Sequence, residues 1–127
     1  MARQVFFPNP QSKPSGFSPA TRVGNMVFVS GQVANDADGN LVGKGDCRAQ
    51  ADQCFKNIEA ALSAAGAALG DVTKITTFLV NSEDYPAYAA ARLQLFPENG
   101  PASSTVMITA LVSPDFLVEI EAIAVVE

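Results

Sequence analysis

The chain of 127 residues contains no histidine. Without imidazole, Ser-His and Cys-His nucleophilic pairs are excluded, and so are most zinc sites. Acid–base chemistry near neutral pH must then come from carboxylates, lysine, tyrosine, cysteine or ordered water. Cysteine is scarce: Cys47 and Cys54 are the two present. On one helix they lie two turns apart, about 10 Å, whereas a disulfide needs Cα atoms within roughly 7 Å. Free thiols are expected, which suits a reducing compartment and a cytoplasmic location. No run of about 18 apolar residues is present, so no membrane span is expected. The opening MARQVFFPNPQSKP lacks the apolar core of a signal peptide.

Charge is also sparse, at 17% of residues. That is low for a small protein with much surface to cover, and it suggests that part of the surface does not face solvent. The basic residues Arg3, Lys13, Arg22, Lys44, Arg48, Lys56, Lys74 and Arg92 are scattered, and the net charge is −5. Phosphate-backbone binding calls for a basic patch, so nucleic acid is not expected as the main partner.

What is there reads as one α+β domain spanning residues 1–127. Strands are expected at 4–7 and at 25–34, the latter rich in β-branched and aromatic residues. A Pro-, Ser- and Gly-rich loop runs between them through Ala20. An Asp-Gly turn at 35–40 suggests a short returning strand at 41–43. Asp46 can cap a helix to about Ala65, because Cys47, Ala51, Cys54, Phe55, Ile58, Leu62 and Ala65 form one stripe at offsets of three and four. Gly66 ends it. A strand at 71–80, a helix at 84–96 with Pro86 in its first turn, and strands at 104–111 and 116–126 complete the order β-β-β-α-β-α-β-β.

Two helices cover one face of a four- or five-stranded sheet, so the other face should be polar. It is not. Met26, Val27, Phe28 and Val29 run together, as do Phe78, Leu79 and Val80, and Val106, Met107 and Ile108. On the last strand Val118, Ile120, Ala122, Ala124 and Val126 share one face, while Leu117, Ile123 and Val125 share the other with Glu119 and Glu121. A second apolar face is most cheaply buried by further copies of the chain.

Among motifs, Asp36, Asp38 and Asn40 match the first ligand spacings of a calcium loop. Leu41 and Cys47 stand where its glycine and closing glutamate belong, so a hairpin turn is the better reading. Gly43 and Gly45 lack a third glycine at dinucleotide spacing. Cys47 and Cys54 lie on the apolar stripe and read as small buried hydrophobes. Glu119 and Glu121 alternate with apolar residues. A half-buried carboxylate is costly, and its pKa rises, which makes it a usable base. The spacing fits equally well a glutamate at an open sheet end or in a subunit ion pair.

Several segments together resemble the RidA family, also called YjgF or L-PSP proteins. They are Gly24-Asn25-Met26-Val27-Phe28-Val29-Ser30-Gly31-Gln32, the helix segment from Gln50 to Asn57, Ala65-Gly66, Val72-Thr73-Lys74, Pro101-Ala102-Ser103-Ser104-Thr105-Val106, and Val118-Glu119-Ile120-Glu121-Ala122-Ile123-Ala124. They appear in the family's order and cover essentially the whole chain. The resemblance implies a chorismate-mutase-like α+β fold, with a mixed sheet and both helices on one face. It also implies a homotrimer with a central barrel and small-molecule clefts between subunits. The implied activity is hydrolysis of reactive enamines and imines to keto acids and ammonia, with no metal and no organic cofactor. Some members are instead named as endoribonucleases or translation inhibitors.

Carried over residue by residue, the resemblance places the family's water-positioning glutamate on Glu119 and its cleft-lining backbone on Ser30 and Gly31. Its hydroxyl-bearing aromatic falls on Phe17, which has no hydroxyl. The arginine that grips a substrate carboxylate falls on Ser103, the cysteine two positions later on Thr105, and an asparagine of the second helix near Ala89. Serine cannot replace a bidentate guanidinium, so altered specificity is implied, unless Arg22 or Arg92 enters the site. A non-catalytic ligand-binding or regulatory trimer is the alternative reading, and a ribonuclease ranks below both.

Overall fold

Gly24 and Asn25 close a two-residue hairpin. Gly24 has φ 58°, the left-handed value that such a turn requires, and Val23 pairs with Met26 across it. In the computed structural model, which describes residues 2–127, the strands are β1 (Gln4–Phe6), β2 (Ala20–Val23), β3 (Met26–Gln32), β4 (Val72–Leu79), β5 (Ala102–Met107) and β6 (Val118–Val125). The helices are α1 (Cys47–Ala64) and α2 (Tyr85–Leu95). They build one 6-stranded sheet in the order β1-β2-β3-β6-β4-β5. Its pairs are antiparallel except β4–β5, which is parallel. Parallel neighbours need a crossover, and α2 supplies it.

The element order agrees with the sequence, but one strand is exchanged. Residues 41–43 are not a strand; the turn before them leads only to a single bridge between Asn35 and Leu41. The third N-terminal strand is instead β2, which starts at the last residue of the expected loop and fills the stretch before residue 25 to which the sequence pattern assigns no element. Asp36 stabilises the 35–40 turn by accepting the amides of Asp38 (2.9 Å) and Asn40 (3.0 Å) on one carboxylate oxygen.

Helix α1 forms where its stripe says it should. Asp46 caps it by accepting the Ala49 amide at 3.1 Å, and every residue of the stripe is buried. At its other end Gly66 has φ 81°, and the Ala67 amide reaches back to the Leu62 carbonyl at 2.8 Å, a terminus that glycine favours. The stripe packs on Val27, Val29, Ile75, Leu79, Val118, Ile120, Ala122 and Ala124, all buried on the helix side of the sheet.

The opposite sheet face is open. Val5, Val23, Met26, Phe28, Val106 and Val125 lie on it, each between 36% and 44% exposed. Apolar side chains therefore stand on both faces, as the alternation in residues 117–126 requires.

Gln50 is fully buried on the apolar stripe. Its amide nitrogen donates to the carbonyls of Gly43 (3.1 Å) and Asp115 (2.9 Å), and its oxygen accepts the Leu117 amide at 2.9 Å. One side chain thus ties two loops to α1 and fixes the entry to β6. Gln50→Leu keeps the volume and abandons three backbone groups, so a loss of about 1–3 kcal/mol per stranded buried group is expected, readable by urea denaturation.

Candidate functional site

Glu119 is the second residue of β6, on the open face, and is half-buried. In register it stands beside Phe78 of β4. On its other side β3 is irregular, with the pairing to β6 shifting between Val29 and Gln32. Gly31 occupies that irregularity. A Cβ there would lie 2.9 Å from the Glu119 carboxyl carbon and 3.2 Å from its Cγ, so only glycine leaves the carboxylate its place. Burial raises the Glu119 pKa above the ordinary carboxylate value, and the nearby charge of Glu121 raises it further. The side chain that sequence singled out as a usable base is thus disfavoured as an anion, which increases its basicity.

Gly31 also lines a cavity of about 530 Å³. Phe17, Asn9, Gln53 and Asn57 share that wall, and Phe17 is 59% exposed. Asn57 donates to the carbonyls of Val33 (3.0 Å) and Asn35 (2.8 Å), and Gln53 donates to Asn57 at 2.9 Å. These α1 amides shape the cavity, and their periodicity on a polar helix face carried no signal of that. Ser30 donates to the Ser18 carbonyl at 2.6 Å. It anchors the loop that carries Phe17.

Ser103 and Thr105 lie elsewhere. They pair in register with Ile75 and Thr77, both buried on the helix side, whereas Glu119 is on the open side. β5 is an edge strand separated from β6 by β4. Within one chain, then, Phe17, Ser30, Gly31 and Glu119 gather in one region and Ser103 and Thr105 in another.

Arg22 and Arg92 part company. Arg22 donates to the carbonyls of Gly24 and Ala65, each at 2.8 Å, and so joins the β2–β3 hairpin to the end of α1. Arg92 donates to the Ser103 hydroxyl at 3.3 Å and to the Tyr85 hydroxyl at 3.1 Å. A guanidinium therefore does stand beside Ser103, delivered by α2 rather than by β5. Tyr85, missed from sequence, is three and seven residues from Tyr88 and Arg92 on one helical face.

Cys47 and Cys54 are buried free thiols. Burial pushes Cys47 up to about 12, helped by Asp84 and Asp46, and pushes Cys54 up as well. Thiols so far from ionisation are poor nucleophiles. Among the described residues no cluster of three His, Cys, Asp or Glu side chains is placed to hold a metal, and no helix is long and apolar enough to cross a membrane.

A mixed sheet with both helices on one face and a half-buried carboxylate seated against a glycine on the other define an α+β protein with an acid on its uncovered sheet face. The sequence model of the family described as Endoribonuclease L-PSP matches residues 10–126. The chain belongs to this family, the RidA/YjgF proteins. It is 37% identical over 125 residues to the 3-aminoacrylate deaminase RutC of Acinetobacter baylyi, covering 98% of each chain. It is 38% identical over 111 residues to a 2-iminobutanoate/2-iminopropanoate deaminase of Dermatophagoides farinae, covering 87% of this chain and 86% of that one. The crystal structure of RidA from an Antarctic Psychrobacter superposes with a TM-score of 0.87 at 32% identity, covering 97% of this chain and 99% of that one.

Proposed function

We propose that the chain is a hydrolytic deaminase of small reactive imines and enamines. The observation that carries this reading is Glu119, a half-buried carboxylate of raised pKa held against Gly31. Relatives named as 3-aminoacrylate and 2-iminobutanoate/2-iminopropanoate deaminases support it. Glu119 orients a water and takes its proton as the oxygen bonds to the imine carbon. That proton passes to nitrogen to give a carbinolamine; its hydroxyl proton then passes to the amine as the carbon–nitrogen bond breaks, so that ammonia and a carbonyl compound leave. In this scheme backbone amides near Gly31 and Thr105 hold the developing charge. No metal or organic cofactor enters this scheme. The test is ammonia release from a panel of freshly generated imines and enamines; no turnover on any of them sinks the reading.

The working assembly is proposed to be a homotrimer, with the exposed apolar face of the sheet buried between subunits. Phe17, Ser30, Gly31 and Glu119 of one subunit would then face Ser103 and Thr105 of the next across the cleft. Phe28 is 39% exposed at the middle of that face, so Phe28→Asp is expected to yield a monomer by light scattering and to abolish turnover with it. A cytoplasmic location is proposed on the free thiols.

Phe17 and Ser103 supply neither the hydroxyl nor the charge that the resemblance implies at their positions, which favours a second reading, a non-catalytic ligand-binding trimer. It requires cleft ligands to raise the melting temperature with nothing consumed. The absence of histidine and of a basic patch argues against ribonuclease activity.

A further inference from the structure

Arg92 is held in place but not neutralised. Its guanidinium lies 5.2 Å from the ring centroid of the fully buried Tyr88 and 5.8 Å from that of Tyr85. Its hydrogen bonds go to two hydroxyls, those of Tyr85 and Ser103. No carboxylate pairs with it: the ion pair found among the described residues is Arg48 with Asp52. The chain carries 13 acidic side chains against 8 basic ones, so carboxylates are not in short supply.

Neutral partners fix the fork without cancelling its charge. A guanidinium has five N–H donors, and two nitrogens are used here while the rest stay available. The hydroxyls of Tyr85 and Ser103 accept from Arg92 and keep their own protons to donate. Tyr85 is 40% exposed and Ser103 is exposed too, so the group opens to solvent. Three donor groups are thus gathered in one cluster, and the hydrogen bonds between them restrain the side chains before a ligand arrives. A lone positive charge balances a single negative charge, and a planar fork matches a carboxylate.

We infer that Arg92, framed by Tyr85 and Ser103, is an anion site that binds the carboxylate of a small imino or 2-oxo acid. The choice of ligand rests on the deaminase reading; the anion site itself does not. On this account the chain supplies from α2 the charge that β5 lacks at position 103, and its substrates remain carboxylates.

Calorimetric titration with 2-oxobutyrate, a stable ligand, and with its neutral amide separates the two ideas. Wild type is expected to bind the acid at least about tenfold tighter than the amide, the scale of a hydrogen bond to a charged group. Arg92→Ala should lose that preference and leave amide binding unchanged. Tyr85→Phe, which keeps the ring under the guanidinium, should weaken the acid several-fold, and Ser103→Arg in the Arg92→Ala background should restore it. The inference is overturned by an acid bound equally well without Arg92, by an amide bound as tightly as the acid, by inorganic phosphate bound as tightly as the acid, or by no acid binding in wild type. Acid binding that depends on Arg92, in a protein that releases no ammonia from any imine, would overturn the deaminase reading alone.

Discussion

Glu119→Gln is expected to lower kcat for ammonia release by about 10²–10⁴-fold, the range for removing a positioned acid–base group. Glutamine fills the same space beside Gly31 and can still orient a water. It cannot take the proton that the water must shed as its oxygen attacks the imine carbon. The loss should therefore appear in kcat, with KM nearly unchanged, because the groups proposed to hold the substrate are other residues. An ammonia-coupled assay on the best imine of the panel reads it directly. A variant with near wild-type kcat would remove Glu119 from the chemistry.

The pH dependence follows from the same carboxylate. Burial, then Glu121, raises its pKa, and the base form is the ionised one. Turnover should fall with decreasing pH at a midpoint above the ordinary glutamate value of about 4.3. Stability runs the other way. The folded pKa lies above the unfolded one, so the fold favours the protonated form, and that contribution is present below the unfolded pKa and lost as pH rises through the folded pKa. Ionised Glu119 is thus a cost at neutral pH. Glu119→Gln should melt higher than wild type near pH 7, and the gap should close as the pH falls below the ordinary glutamate range.

The fold was legible wherever one residue pattern dictated one outcome. The α1 stripe, the Asp46 cap and Gly66 fixed the helix, and the alternation in residues 117–126 fixed both faces of β6. The exchange of residues 41–43 for β2 has a local cause. Thr21, Arg22 and Val23 are too short a run to be seen as a strand by pattern, and the Asp-Gly turn drew attention to the wrong hairpin. Gly24-Asn25 is itself a two-residue turn signal, but Asn25 reads by pattern as the first residue of the strand at 25–34, which masks the turn. At the site, Glu119 and Gly31 could be named from sequence because both belong to strands that the resemblance aligned. The position of Arg92 beside Ser103 could not, since it depends on how far the α2 crossover carries its last turn toward an edge strand. No spacing along the chain encodes that distance.

Gly31→Ala should be nearly as damaging to turnover as loss of the carboxylate, and nearly silent in stability. Gly31 is not among the glycines with positive φ, so alanine meets no backbone strain there. What the new methyl meets is the Glu119 side chain, whose carboxyl carbon and Cγ would be 2.9 and 3.2 Å away. The atoms in the way belong to the end of a flexible side chain, which can swing aside at little cost in folding free energy. A base displaced by about 1 Å from its water costs on the order of 10²-fold in rate. The expected result is an unchanged melting temperature with kcat down by about that factor. The double variant with Glu119→Gln decides whether the two act as one. If Gly31 serves only to leave room for the carboxylate, adding Gly31→Ala to Glu119→Gln costs nothing further, because there is no longer a base to misplace. Losses that multiply would mean instead that the Gly31 backbone meets the substrate by itself, and that the close approach to Glu119 is not why glycine stands there.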